Sequence, residues 1–437
     1  MHTSDEEFHA DADVGRLSPR VGSLRLAAPD CCGGWSDETR RGGGTPPLHS
    51  ERMRGSLGEV FDPRQNALNA WRLVLAAGVI LRHSWPATGH YLDTPFDPLF
   101  TQVFVDSFFV LSGFLIVRSW RNNPRLREYA AGRLLRIFPG LWVCVTIIAF
   151  VLAPIGAALS GGSLRLSSQI AYVLNNAVLN IFYTGIDGTP KGVPTPGVWN
   201  GSLWTLIFEM VCYIGVAVLG VAGLLRRRWT IPTVFVLAVG ASAVVGYADM
   251  TVDLAQIVLR SVVVFSAGAL VYQFRDRIPA RWWLVAVCAG LVVVLGLLPN
   301  YRVFAALPLA YAVVVSGALL KRPWLRNDLS YGMYIYACPV QQLLAAAGMT
   351  WLDPRLFFAV ATVCTVPLAA ASWFVVERPA MKLKGRVHRP QSHSVNGSIG
   401  GEQYVVSLDD PIAHGVGSDG EVAVRAKPNA RRQTPPP

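Results

Sequence analysis

Long apolar runs constrain this chain more than any other feature of its sequence. Several of them carry no charged residue over 18 positions or more, and charged residues make up only 15% of the whole chain. A typical soluble domain has roughly 25% charged residues, whereas a helix of about 20 apolar residues crosses the hydrocarbon layer of a bilayer. The sequence therefore predicts an all-α fold, a polytopic protein of about ten transmembrane helices embedded in a lipid bilayer.

The ten predicted spans follow one another between two polar tails. Their ranges are 67–85, 100–119, 134–157, 201–224, 230–249, 256–273, 282–299, 303–320, 329–348 and 355–376. The apolar stretch 169–183 is too short for a span, and we predict that it is interfacial or re-entrant. Residues 1–60 and 387–437 lack such runs, so we expect a disordered N-terminal extension and a disordered cytoplasmic tail around a membrane domain at 61–386. A start at Met53 would leave this domain unchanged.

Basic residues alternate from one side of the predicted bundle to the other. Lys and Arg number 19 in the loops on one side and four in the loops on the other. Because cytoplasmic loops of membrane proteins are enriched in Lys and Arg, both termini are predicted to be cytoplasmic. The same loops account for the net charge of +11, so we expect no nucleic-acid partner. The seven cysteines show no metal-ligand spacing, and we expect no metal site.

The first predicted span carries Arg72 near its cytoplasmic end and His83 near its outer end. The separation of 11 positions makes about three turns, so both side chains share a helix face about 16 Å apart. Charged residues inside lipid are costly and usually functional, and a histidine exchanges protons near neutral pH. Two plainer interpretations stay open: an arginine that reaches the headgroups, and a histidine at the outer interface.

The fourth predicted span places an acidic side chain inside the membrane. Glu209 lies one to two turns from the outer end of this span, at a depth similar to that of His83. A carboxylate that orients or charges an imidazole is a familiar catalytic pairing. The alternative is a structural ion pair, for example between Glu209 and Arg260.

Small and polar residues mark two further spans. Asp106 lies at the outer end of the second span, and Ser112 and Gly113 permit close approach of another helix. Tyr331 and Tyr334 share a stripe of the ninth span, which predicts that this stripe faces other helices or a cavity rather than lipid.

Six sequence motifs, taken in order, resemble the acyltransferase 3 family of bacterial membrane acyltransferases. They are Arg72 and His83 with ten residues between them, 106–116 (DSFFVLSGFLI), 133–139 (RLLRIFP), 201–209 (GSLWTLIFE), 329–336 (LSYGMYIY) and 377–379 (ERP). The resemblance covers roughly residues 66–384. One departure is that relatives often carry an aspartate three residues before the arginine of the first helix, where this chain has Asn69.

The resemblance implies an O-acyltransferase of the bacterial inner or plasma membrane. Such an enzyme moves an acyl group, commonly acetyl, from a cytoplasmic acyl-CoA to a hydroxyl of a cell-envelope carbohydrate, lipid or exported small molecule, as in polysaccharide O-acetylation. We expect acyl-CoA, commonly acetyl-CoA, as donor substrate and no tightly bound cofactor. The partners are then the bilayer, the donor and an envelope glycan or lipid acceptor.

The resemblance also implies roles for individual residues. Arg72 and His83 match the family's essential arginine and histidine, and Glu209 matches its fourth-helix glutamate. We expect Arg72, Arg133 and Arg136 to bind the CoA phosphates, and His83 to act as general base with Glu209 as its partner. A covalent acyl-His83 intermediate is a variant. Supporting residues are Asn69, Asp106, Ser112, Gly113, Ser202, Trp204, Ser330, Tyr331 and Tyr334.

A secondary transporter is the main alternative, since a bundle of helices with buried charges would also suit transport. Many transporters are built from internal repeats with paired broken helices, and the two halves of this sequence show no duplicated pattern. A non-catalytic membrane sensor would not need this order of motifs. Release of thiol from acetyl-CoA distinguishes the enzyme from both alternatives.

Overall fold

A computed structural model of the chain describes residues 55–180, 182–247, 254–321, 327–383, 394–399 and 402–407. Its α-helices are α1 (Leu57–Val60), α2 (Leu68–Ala87), α3 (Asp97–Asn122), α4 (Leu126–Ile147), α5 (Ala153–Ser160), α6 (Leu166–Ala177), α7 (Trp204–Val221), α8 (Thr230–Tyr247), α9 (Leu254–Gln273), α10 (Trp282–Leu295), α11 (Arg302–Leu319), α12 (Ser330–Ala346), α13 (Pro354–Ala371) and α14 (Arg378–Lys382).

Short π-helical and 3₁₀ turns lie between several of these α-helices. A π-helical turn at Ile148–Leu152 joins α4 to α5, and another at Ser372–Glu377 joins α13 to α14. Single 3₁₀ turns occur at Leu224–Arg226 and Met349–Trp351. Strands β1 (Ser394–Ile399) and β2 (Glu402–Ser407) form an antiparallel pair in which Ser394 lies opposite Ser407.

Each predicted span falls on a helix, because each apolar run satisfies its backbone groups internally only as a helix in lipid. Among the described residues, six helices are long and apolar enough to cross a membrane. They are Asp97–Asn122, Leu126–Ser160, Trp204–Val221, Leu254–Gln273, Arg302–Leu319 and Pro354–Lys382. The apolar helices Thr230–Val245 and Trp282–Leu295 are shorter. The all-helical, multi-pass membrane domain is thereby confirmed, while ten spans and cytoplasmic termini stay predictions.

Glycines allow α3 and α9 to pack with their backbones in contact. A Cβ atom added to Gly113 would overlap the carbonyl oxygen of Phe265, and one added to Gly268 would overlap that of Val110. Backbones approach this closely only where no side chain intervenes. The predicted role of Gly113 in close helix approach agrees with this contact.

The segment between α6 and α7 enters the helix bundle. The Gln342 side chain of α12 donates a hydrogen bond to the carbonyl of Val198 (2.7 Å), and the Asn200 side chain donates to that of Ile335 (2.8 Å). Ile335 lies near the start of α12, and Ser202 is buried. Helix α7 therefore begins inside the bundle rather than at its surface. This places the residues of α7 deeper than the sequence predicted.

The two predicted tails lie largely outside the described residues. Nothing is described for 1–54, and the described part of 387–437 is the β1–β2 pair. The domain boundaries and the disorder expected for both tails stay predictions.

Candidate active site

Two arginines from different helices converge on a single carboxylate oxygen. Arg72 in the first turns of α2 donates from Nη1 to Oδ2 of Asp328 (2.8 Å), and Arg136 of α4 donates from Nη2 to the same oxygen (2.5 Å). Asp328 precedes α12 by two residues and is largely buried. The contact thus joins three helices at one end of the bundle, which we call the basic end.

The second oxygen of Asp328 is held by the start of α12. Oδ1 accepts hydrogen bonds from the backbone N–H of Ser330 (3.2 Å) and from the Ser330 hydroxyl. Burial by itself would raise the pKa of this carboxyl, but the guanidinium groups of Arg72 and Arg136 and the Ser330 hydrogen bonds lower it to about 2. Asp328 is therefore a fixed negative charge at neutral pH.

A cavity of about 340 Å³ opens beside these groups, and we call it the arginine cavity. It is lined by Asn69, Arg72, Leu111, Ser112, Leu115, Ile116, Gly132, Arg133, Leu135, Arg136, Tyr213, Asp328, Trp373 and Met381. The structure thus brings together Arg72, Arg133 and Arg136, the three residues that the sequence predicted to bind the donor.

Arg133 differs from the other two arginines of this cavity. Its Nε atom is buried and has no hydrogen-bond partner among the described residues. Its guanidinium carbon lies 6.0 Å from the centre of the Tyr213 ring, a cation–π distance. A buried guanidinium N–H without an acceptor is costly, so this part of the cavity favours an anionic or hydrogen-bond-accepting ligand.

Glu377 adds a second carboxylate near Arg136. Its Oε2 lies 3.8 Å from the Arg136 guanidinium, and its Oε1 accepts a hydrogen bond from Ser372 (3.0 Å). It ends the π-helical turn Ser372–Glu377, a geometry that is frequent at functional sites. Glu377 was predicted only as part of the ERP motif, and Asp328 was not predicted from the sequence. Asp328 immediately precedes the predicted span 329–348, and an acidic residue at that place is a helix-capping signal from which it could have been found.

A narrow, mostly apolar cavity of about 40 Å³ begins at Arg72, and we call it the apolar corridor. It is lined by Arg72, Val105, Phe108, Phe109, Thr205, Leu206, Glu209, Ser330, Tyr331 and Tyr334. The stripe of α12 that was predicted to face other helices or a cavity contributes Tyr331 and Tyr334 to the wall of this one. Arg72 lines both cavities, so the corridor is adjacent to the arginine cavity.

Glu209 is held by hydroxyl groups between these two cavities. Its Oε1 accepts hydrogen bonds from Ser112 (2.7 Å) and from the Tyr213 hydroxyl. No hydrogen bond or ion pair joins Glu209 to His83 among the described residues, so this structure does not contain the predicted pairing, which stays a prediction. The reason is that α7 begins inside the bundle, which places Glu209 near the level of Arg72 rather than that of His83.

His83 lies in the last turns of α2, about 16 Å along the helix axis from Arg72. In the described part of the chain it makes no hydrogen bond, and it does not line either cavity. Its neighbour Arg82 donates a hydrogen bond to the Thr101 hydroxyl (2.7 Å) and forms an ion pair with Asp97 (3.4 Å) at the same end of the bundle. The predicted catalytic role of His83 stays a prediction.

Asp106 lines neither cavity, and its predicted supporting role stays a prediction. It is buried and accepts hydrogen bonds from the Nε of Arg302 (2.8 Å) and from Tyr301. Arg260 lies near this pair, and no ion pair joins it to Glu209 among the described residues, so the structure does not contain the alternative considered for Glu209. Asp106 links α3 to the start of α11, a structural role.

The other predicted supporting residues divide into two groups. Tyr331 donates to the carbonyl of Ile137 (2.7 Å) and Tyr334 to that of Ser202 (3.0 Å), so both fix α12 against its neighbours beside the corridor. Trp204 instead packs edge-on against Phe208, with 5.6 Å between ring centres, and is partly exposed outside both cavities.

Comparison with known proteins gives consistent matches along the membrane domain. A family model described as an acyltransferase domain (acyltransferase 3) matches residues 65–374. The chain is 29% identical over 364 residues to nodulation protein 10 of Rhizobium leguminosarum bv. viciae, a match that covers 76% of this chain and 97% of that protein. It is 25% identical over 343 residues to the O-acetyl transferase of Shigella phage Sf6, covering 72% and 96%. No solved structure matches the chain.

Proposed function

Because this chain belongs to the acyltransferase 3 family and is an O-acyltransferase, we propose that acyl-CoA is its donor. The acyl group, acetyl in the commonest case, passes to a hydroxyl of a cell-envelope carbohydrate, lipid or exported small molecule at the bacterial inner membrane. The observation that carries this proposal is the arginine cavity, where three arginines surround a space open to an anionic ligand. CoA is such a ligand, since its phosphates lie at one end and its thioester at the other.

Guanidinium N–H groups in the arginine cavity are available to donate hydrogen bonds to a phosphate. Each guanidinium carries five N–H groups, and Asp328 takes one from Arg72 and one from Arg136. The buried Nε of Arg133 is not hydrogen-bonded within the described residues. Arginine binds phosphate through short, charge-assisted hydrogen bonds, so these groups suit the phosphates of CoA.

We place the pantetheine arm of the same donor along the apolar corridor, which must widen from its present volume of about 40 Å³ to hold the arm. It starts at Arg72, where the phosphates would be held, and its wall includes the rings of Phe108 and Phe109. Thr205 and Glu209 add polar atoms that match the amide groups of the arm. The arm then runs along the face of α2 from Arg72 towards His83.

In the chemical step, His83 takes the proton of the acceptor hydroxyl while the hydroxyl oxygen attacks the thioester carbonyl. The tetrahedral intermediate collapses by breaking the carbon–sulfur bond, and the CoA thiolate leaves with the proton that His83 returns. The ester and free CoA are the products. In the covalent variant a His83 ring nitrogen attacks the thioester carbonyl, the carbon–sulfur bond breaks, and CoA leaves with the ring proton. The acceptor hydroxyl then attacks the acyl group, and its proton returns to the His83 ring as the acyl–nitrogen bond breaks.

Replacement of His83 tests the mechanism. We expect His83→Ala to lower acyl transfer by about 100-fold or more, since a general base contributes 10²–10⁴-fold. The assay measures thiol release and label transfer from acetyl-CoA in isolated membranes given candidate acceptors. His90→Ala is the matched control, because His90 is exposed and its ring is hydrogen-bonded only to Thr88 within the described residues. Retention of more than about a tenth of wild-type transfer contradicts the assignment.

The similarity to the O-acetyl transferase of the phage favours an acetyl group and a hydroxyl acceptor for this chain as well. Mass spectrometry of envelope glycans and lipids from a strain that lacks the protein identifies the acceptor by the acyl mass that disappears. A transporter would give neither a lost acyl mass of this kind nor thiol release from acetyl-CoA.

A further inference from the structure

We propose that Asp328 is a positioning residue for the acyl donor, because its carboxylate holds Arg72 and Arg136 in the arrangement that leaves their remaining N–H groups to a ligand of the arginine cavity. This inference rests on the proposed function, which assigns the cavity to the donor phosphates. Asp328 lies outside all six sequence motifs, one residue before the fifth of them.

The shared carboxylate oxygen determines where the two guanidinium groups lie. Oδ2 accepts from Arg72 at 2.8 Å and from Arg136 at 2.5 Å, so both cations converge on one point from α2 and α4. Two like charges at this separation repel strongly where water is scarce. Without the carboxylate, we expect each long side chain to turn away from the other and towards water or headgroups.

Asp328 is itself held in place, so an arriving phosphate does not displace it. Its Oδ1 is bound by the backbone N–H and the hydroxyl of Ser330, and its side chain is only 11% exposed. A carboxylate that served as an internal substitute for phosphate would have to leave when the donor binds. This anchoring to the start of α12 favours a permanent partner of the arginines.

The chain offers a matched control for the local hydrogen bond that Asp328 makes. Asp353 likewise accepts a hydrogen bond from the backbone N–H two residues later, that of Arg355 (2.8 Å), at the start of α13. It has no arginine side chain bound to its carboxylate in the described part of the chain. Asn replacement at both positions therefore separates the loss of a helix-start hydrogen bond from the loss of the arginine contact.

The test compares Asp328→Asn with Asp353→Asn in full-length protein purified in detergent. We expect Asp328→Asn to raise the Kd for CoA and the KM for acetyl-CoA by about tenfold or more, and to change kcat by less than about threefold. Asp353→Asn is expected to leave these constants within about twofold of wild type. Labelling with phenylglyoxal, mapped by mass spectrometry, is expected to modify Arg72 and Arg136 faster in the Asp328→Asn protein without any donor.

The outcomes separate this inference from the proposed function. Unchanged arginine labelling and unchanged donor binding in Asp328→Asn overturn the inference, and so does tighter donor binding, which would make Asp328 a phosphate substitute. If wild-type protein binds no CoA but phenylglyoxal still modifies Arg72 and Arg136 faster in Asp328→Asn, the proposed donor is wrong. The role of Asp328 in positioning the two arginines then still holds. Should Asp328→Asn fail to fold, Asp328→Glu keeps the charge but moves it outward by one methylene. Wild-type donor KM and labelling in that variant also overturn the inference.

Discussion

Asp106, Asp328 and Glu209 are carboxylates inside the same bundle with different neighbours. Asp106 pairs with Arg302 away from both cavities, and Asp328 pairs with two arginines at the wall of one. Glu209 is hydrogen-bonded to hydroxyl groups, those of Ser112 and Tyr213. The residue type alone therefore does not give the role of a buried carboxylate, because the role follows from which helix faces it.

The position of Glu209 gives a prediction about donor binding. We expect Glu209→Gln to raise the KM for acetyl-CoA roughly tenfold, since the hydrogen bonds of Ser112 and Tyr213 to a charged acceptor are weakened. The pH dependence of kcat should stay as in wild type, because Glu209 does not contact His83. Kinetics between pH 5 and 9 measure both, with the exposed Glu59→Gln as control. A shift in the midpoint of the kcat–pH profile of Glu209→Gln would instead indicate that Glu209 pairs with His83.

At the scale of elements, the entry of the segment before α7 into the bundle determines the layout of the site. Gln342 and Asn200 connect this segment to α12 through hydrogen bonds to backbone carbonyls. Backbone carbonyls inside a membrane protein need partners, and these two contacts supply one to Val198 in the segment and one to Ile335 in α12. As a result α7 starts deep, and its polar residues meet α3 beside the arginine cavity.

The contact between α3 and α9 gives a prediction about stability. We expect Gly113→Ala to destabilise the protein by about 1–3 kcal/mol, because the added methyl would overlap the carbonyl oxygen of Phe265 and push the helices apart. Gly215→Ala is the matched control, since a Cβ there meets nothing within 4 Å. Thermal melting in detergent measures the difference. Equal melting temperatures for the two variants would show that α3 and α9 do not pack this closely.

On the scale of the whole molecule, the polar groups divide between the two ends of α2. The basic end holds the arginine cavity, and the opposite end holds His83 with the ion pairs of Arg82 and Arg302. An acyl-CoA from the cytoplasm reaches the arginine cavity directly only if the basic end is cytoplasmic. The positive-inside rule predicts this orientation from the loops.

This orientation is tested by C-terminal fusions. We expect a green fluorescent protein fused after Pro437 to be fluorescent in a bacterial host, and an alkaline phosphatase fused there to be inactive, since each reporter works on only one side of the membrane. A fusion truncated in the loop at 86–99 is expected to give the reverse pattern. Phosphatase activity from the full-length fusion would contradict the predicted topology and would leave the cavity on the wrong side for a cytoplasmic donor.

The sequence by itself determined the helical membrane fold, the positions of the helices along the chain and the family. These follow from local physics, because a run of apolar residues in lipid has few alternatives to a helix and because the motifs are contiguous. It also grouped Arg72, Arg133 and Arg136 correctly, since charge patterning places all three at one end of the bundle.

Only the tertiary structure decided which helices face one another and at what depth. Asp328 and Arg72 are 256 positions apart in the chain, and no local pattern states that they meet. The depth of Glu209 depends on the chain segment that enters the bundle before α7. Long-range hydrogen bonds to α12 hold this segment, and a hydropathy profile contains no information about such bonds. The pairing of buried charges is a long-range property, since each charge takes the partner that packing supplies within a few ångströms.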